Sequence, residues 1–420
     1  MLVELEYGNE ENTLKTFWSN QKISIASRVC VALMLVWLGL SLIIGGDPEI
    51  ERLRVGVFLR GTELLFILAS LKVLLSQRSF KFNQWLKHLL LLLLLIVSLS
   101  VLVSANVNQS VWGNYFRRDG VLTLAHSLLF AVSISVLWSK SLQVSIQKTT
   151  FFLSATLSTY LVVWNLAWLL SEKVFIGWQT YFQGVLILPN ENMIAGCMLV
   201  ILPFSFLQAK QFFDENSWKN RAVMCFLVLG ILLTQSWGAI MSGLIVLVIW
   251  GVVSGAVSRK MLIGMALVIC VGTAILWRTS FGNLTEGRAL IFRSLFASIL
   301  QKPVLGWGWS NVDFAFSSGY TKIFGISPQV YVDKAHSLWL EYFVTTGIIG
   351  LAVYIVLQIK VLTELLQRKQ TLLWLVFLLY IIHSQTNVIS IAEEVLFWLV
   401  VGVSLRESNS RVKTNSWYTK

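Results

Sequence analysis

The stretch VDKAHSLWLEYFVTTGIIG, residues 332–350, runs from a charged pair, Asp333 and Lys334, into an apolar segment of helical spacing. His336 sits at the junction. Imidazole is the side chain whose unperturbed pKa lies nearest neutrality, so a histidine placed there can take a proton from a hydroxyl. Asp333 can cap the helix or orient the ring, and spacing alone does not choose between those roles. Arginines are the second clue. Arg288 and Arg293 lie on one segment, and Arg117 and Arg118 stand side by side in NYFRRDG. Converging guanidinium groups bind phosphate through forked hydrogen bonds. A histidine and arginines at one face of a membrane point to a lipid-borne phosphate or diphosphate. The plainer reading makes His336 a cap or an interfacial group, and lets Arg117 and Arg118 snorkel to headgroups.

The elements that must position these residues are membrane spans. Of 420 residues, 56% are hydrophobic and only 13% charged, whereas a soluble chain has about a quarter charged. Apolar runs of about 20 residues recur along the chain, which predicts an all-α polytopic membrane protein forming one integral membrane domain. The expected spans, about 12 in number, fall near 27–45, 55–75, 88–104, 120–138, 151–170, 192–209, 222–236, 237–257, 261–277, 336–358, 372–388 and 394–406. The seventh and eighth are joined by so little that they form a tight hairpin or a broken pair. The net charge of +12 comes mostly from short loops. This is the positive-inside pattern, and it places both termini in the cytoplasm. Eighteen Trp fit the membrane interfaces. No basic motif that reads RNA or DNA is present, so nucleic acid is not an expected partner. A polar stretch of about 25 residues precedes the first span with no cleavage site after it, so that span is expected to be an uncleaved anchor. Cys30, Cys197, Cys225 and Cys270 lie in apolar runs without a CxxC pair. They are expected to be small buried hydrophobes.

Residues 278–335 form the one long loop, on the outer side in this topology. Within it, 288–300 has helical spacing, with Leu290, Phe292, Leu295, Phe296 and Ile299 on the apolar side. Lys302-Pro303 ends this amphipathic helix, and Gly306-Trp307-Gly308-Trp309 makes a tight turn. His88, His126 and His383 are expected to be polar groups satisfied within the bundle. Gly347 and Gly350 form a GxxG that allows a neighbour to approach. Asn190 and Asn192 are placed to cap the sixth span, which Pro203 would kink.

The order PNENMIAGCMLVILP, LLTQSWGAI, EGRALIFRSLFASILQKPVLGWGWSNVDF, VDKAHSLWLEYFVTTGIIGL resembles the O-antigen ligase and polymerase family of bacterial membrane glycosyltransferases. The likeness covers roughly 185–360, with a weaker echo at NYFRRDGVLTL. It implies a GT-C-type helical bundle in the cytoplasmic membrane with its site on the outer face. Glycan would pass from an undecaprenyl-diphosphate carrier to a hydroxyl of lipid A core, of another glycan or of a protein, with no metal or other cofactor. The family's histidine falls on His336 and its long-loop arginine on Arg288. Arg117, Arg118, Arg293 and Asp333 are the further candidates for substrate contact. Two departures stand out. Many relatives have Ser-Arg-Gly where this chain has Ser236-Trp237-Gly238, so one arginine for the carrier diphosphate is missing. Asn commonly follows the histidine, and here it is Ser337. The rival from another class is a transporter of polyprenyl-linked sugar, but no half-to-half repeat is evident. A purely structural or assembly role is a third reading, given weight by the missing arginine.

Overall fold

The computed structural model describes residues 2–44, 48–76, 80–174, 191–213, 217–254, 264 and 281–407. Among the described residues the regular structure is helical, apart from a lone bridge between Phe82 and Arg406. The helices are α1 (Leu2–Ser41), α2 (Pro48–Ser76), α3 (Gln84–Leu102), α4 (Val107–Trp112), α5 (Val121–Leu137), α6 (Lys140–Val174) and α7 (Glu191–Phe212). There follow α8 (Trp218–Leu233), α9 (Trp237–Val253), α10 (Phe281–Ile299), α11 (Val312–Phe324), α12 (Leu338–Gln367), α13 (Thr371–His383) and α14 (Ile391–Leu405). Each expected span outside 261–277 falls on one of these helices. That segment, apart from 264, lies outside the described residues, as do Pro189, Asn190 and Cys270. Among the described residues, five helical stretches are long and apolar enough to cross a membrane: Asn20–Ile44, Gln84–Leu102, Lys140–Ala167, Glu191–Phe212 and Leu338–Gln367. α5, α9 and α13 are apolar but shorter.

The centre of the bundle is α14. It is apolar on nearly every side, and a helix of that kind must be buried all round. It packs against α5, α7 and α13 and also meets α1, α2, α3 and α12. Its buried first turn carries Glu393, held by a capping box with Ser390. α8 and α9 are a broken pair. Gln235 takes a left-handed φ of 54° between them, after which α8 leans on α6 while α9 leans on α13. Cys225, expected inside, is exposed on α8, whereas Cys197 on α7 is buried.

The long loop is more ordered than its sequence implied. α10 starts earlier than 288 and ends at Ile299, as Lys302-Pro303 requires. A second helix, α11, was not expected. The two share a small core of their own, with Leu295, Ile299, Val312 and Phe316 packed against Ala335 and Leu340. This fastens the loop to the start of α12. The GxxG of α12 works differently from expectation. Gly347 has φ 68°, a left-handed break inside the helix. The break exposes carbonyls that the turn uses: Trp307 N donates to Val344 O at 2.9 Å and Gly308 N to Thr345 O at 3.0 Å. Ile348 N returns a bond to Pro303 O at 2.9 Å. Gly350 faces Thr346 of its own helix and takes no part.

Candidate functional site

His336 lies two residues before α12. The cap is Ser337, whose Oγ accepts from Leu340 N, and neither His336 nor Asp333 has that role. Ser337 fits because its hydroxyl sits one residue before the helix, where three orphan N–H groups converge. Its Oγ also donates to Gln385 Oε1 at 3.1 Å, and Leu338 N donates to Ser384 O at 2.9 Å. Held on one side by this cap and on the other by buried Ala335, His336 adopts φ 54°. A non-glycine residue there stores about 1–3 kcal/mol, a kind of strain that collects at functional sites. The imidazole is half-buried, and among the described residues its nitrogens have no hydrogen-bond partner. Burial comes first in holding its pKa below the ordinary value. Arg288 adds to the effect, Asp333 opposes it, and Arg117 adds to it again. The ring is therefore neutral at pH 7, the form a general base needs.

The arginines divide sharply. Arg288, on α10, donates from Nη2 to the side-chain oxygen of Asn387 at 3.3 Å. Burial lowers its pKa, yet a guanidinium starts so high that it stays charged. Arg117 is engaged by carboxylates. Its Nε donates to Asp333 at 2.8 Å and its Nη1 lies 3.6 Å from Glu51, which also binds the fully buried Arg54. Asp333 thus anchors an arginine. Arg118 has a left-handed φ of 53°, and its guanidinium stands 6.0 Å from the exposed Tyr115 ring. Its buried Nε has no partner among the described residues. Arg293 is not brought to this group. It is exposed on α10, with its guanidinium 5.9 Å from the Phe324 ring.

Lys334 lies between Asp119 and Glu341 and bonds to both. Burial works against its charge, but the two carboxylates overcome that and raise its pKa. Ser310 and Trp309, from the GWGW turn, complete the cluster by donating to Asp119 at 2.6 and 2.8 Å. Two small cavities adjoin it, with about 40 and 30 Å³ open to water-molecule centres. Each has room for a few waters and is too small for a sugar, and neither is lined by His336 or Arg288.

The sequence reading missed the connection between α13 and α14, HSQTN. Ser384 and Gln385 brace the start of α12 beside His336, and Asn387 holds Arg288. His383 is satisfied inside the bundle, as expected, with Nδ1 3.0 Å from Glu393 and Nε2 2.9 Å from Asn387. The turn that lacks the family's arginine is close by. Gly238 packs directly on the Asn387 amide, and Trp237 is 44% exposed. Ser236 Oγ donates to Asn192 at 2.7 Å.

A comparison of the sequence with protein-family models bears on this arrangement. Residues 222–355 match the O-antigen ligase family. The resemblance seen in the residues therefore holds over this segment, and no curated protein matches the chain. The O-antigen ligase segment contains the Trp237 turn, Arg288, the GWGW turn and His336. Arg117, Arg118 and the Asn387–His383–Glu393 chain come from outside it, so the candidate site draws on segments on both sides of the matched stretch.

Proposed function

We propose that this protein transfers a glycan from an undecaprenyl-diphosphate carrier to an acceptor hydroxyl at the outer face of the bacterial cytoplasmic membrane. The observation that carries the reading is a neutral His336, without a hydrogen-bond partner among the described residues, that feels the charge of Arg288, both inside the O-antigen ligase segment. The reading includes a GT-C-type bundle of about 12 spans with both termini cytoplasmic. His336 takes the proton of the acceptor hydroxyl as its oxygen attacks the anomeric carbon. The bond from that carbon to the diphosphate oxygen breaks with inversion, and the carrier leaves with the electron pair. Arg288 neutralises the charge that develops on the leaving group. Arg118 is the better second arginine, because Arg117 is already committed to Asp333 and Glu51. General-base help is worth about 10²–10⁴-fold, and holding the two substrates together supplies as much again. A lipid diphosphate is a good leaving group, so the step needs no metal. The lipid tail would lie between helices open to the bilayer, and lipid A core, a second glycan or a protein would supply the hydroxyl.

The test is transfer by the purified protein in lipid vesicles, with a polyprenyl-diphosphate oligosaccharide and each of the three acceptor classes, read by product mass and by the anomeric configuration of the new bond in NMR. Transfer to one of them with inverted configuration is the expected result. Intact donor with all three acceptors overturns the proposal. Orientation is tested separately in cells. Ser317→Cys should react with an impermeant thiol reagent from outside and Gln367→Cys should not, and reversed labelling would contradict the outer-face site.

A further inference from the structure

Arg288 holds the end of a buried hydrogen-bond chain that runs across two helices. Arg288 donates to Asn387 Oδ1 at 3.3 Å. Asn387 Nδ2 meets His383 Nε2 at 2.9 Å. His383 Nδ1 meets Glu393 Oε2 at 3.0 Å. The other oxygen of Glu393 accepts from Ser390 Oγ at 3.0 Å and Ser390 N at 3.3 Å. Asn387, His383 and Glu393 are all buried.

The chain has one consistent direction. A guanidinium can only donate, so the Asn387 oxygen must face it and the Asn387 amide N–H must face His383. Nε2 of His383 must then accept, which puts the ring proton on Nδ1, where it meets a carboxylate oxygen that can only accept. Every donor is matched to an acceptor, and reversing any one bond forces the next to reverse. Two glycines let the chain exist. A Cβ at Gly196 would strike the Glu393 carboxylate and His383, and a Cβ at Gly238 would strike the Asn387 amide. Gly238 belongs to the turn whose arginine is replaced by Trp237, so the chain ends between the two places from which a diphosphate would be gripped.

We infer that Asn387, His383 and Glu393 are positioning residues that fix Arg288 for binding the carrier diphosphate, and that they act through the polarity of the Asn387 amide. The inference rests on the proposed function only for the identity of the anion. A neutral amide is suited to this task. It directs the guanidinium without cancelling its charge, which a carboxylate in the same place would do.

The test is a double-mutant cycle on binding of undecaprenyl diphosphate to the full chain in lipid nanodiscs. Arg288→Ala and Asn387→Ala should each weaken binding about tenfold. The double variant should bind no more weakly than Arg288→Ala alone, because Asn387 acts only through Arg288. Glu393→Gln, which keeps size but breaks the donor–acceptor order, should weaken binding severalfold although it touches no ligand, and it covers the case in which Asn387→Ala misfolds. Losses that multiply in the double variant overturn the inference. So does wild-type affinity in folded Asn387→Ala or Glu393→Gln while Arg288→Ala is weak. Wild-type affinity in Arg288→Ala is a different failure, because it removes the diphosphate site itself.

Discussion

Two groups of basic side chains stand side by side at this end of the bundle. Lys334 and Arg117 are closed off by carboxylates, Lys334 by Asp119 and Glu341, Arg117 by Asp333 and Glu51. Arg288 is held by a neutral amide, and His336 has no hydrogen-bond partner among the described residues. The closed group spends its charge on the protein. It ties the loop before α5 and the GWGW turn to the start of α12, through Asp119 and its bonds from Ser310 and Trp309. The open group leaves its charge and its ring nitrogens uncommitted among the described residues. A cation near a site is therefore not a substrate contact merely by its nearness. What matters is whether its partner is an anion.

The closed group should cost most to break. Lys334→Met leaves Asp119 and Glu341 facing each other without a cation, and removing one partner of a buried ion pair costs about 3–5 kcal/mol. The expected outcome is a large fall in the thermal unfolding transition in detergent, larger than for any change at Arg288. Next comes a conversion of one group into the other. Asn387→Asp gives Arg288 a carboxylate partner like that of Arg117. Undecaprenyl diphosphate affinity should fall about tenfold, and unchanged affinity would show that the partner's charge does not matter. A smaller effect is expected at the turn. Trp237→Arg adds a guanidinium beside Asn387, and the donor KM should drop about threefold. A folded but inactive Trp237→Arg protein would show instead that the indole packs in a way transfer requires.

The smallest expected effect is on pH. Burial and Arg288 hold the His336 pKa below the ordinary value, while Asp333 pulls it up. Transfer should then be constant near neutrality and fall as pH drops through the folded pKa, where the base is protonated. Asp333→Asn removes the charge that favours protonation, so the acid limb of the rate profile should move to lower pH. A shift to higher pH would contradict the role of Asp333 as the charge that favours protonation.

Some of this was legible in the sequence. His336 and Arg288 announce themselves locally, one at the mouth of an apolar helix and the other on an amphipathic segment, because burying such groups without purpose is expensive. The spans are equally local, since apolar length alone marks them. Partnership is not local. Arg288 and Asn387 are 99 residues apart, and nothing in HSQTN distinguishes a brace from an ordinary connection. One signal was available: a short polar run between two apolar helices, followed by Glu393-Glu394 inside the second, demands buried partners. The identity of the cap was missed because Asp333 and Ser337 are both capping types, and only the place where α12 begins decides between them. α11 was missed because its Ser-Ser-Gly centre weakens the helical pattern, while its packing on α10 restores it.

The central claim is that His336 acts as the base on the acceptor hydroxyl while Arg288 and its supports hold the carrier. Single-turnover transfer by His336→Ala, with the polyprenyl-diphosphate oligosaccharide bound beforehand and its occupancy measured, tests this most directly. Wild-type donor occupancy and a transfer rate about 10²–10⁴-fold lower are expected. Near-normal transfer by the folded variant would contradict it and leave His336 as a strained residue ahead of a helix whose cap is Ser337.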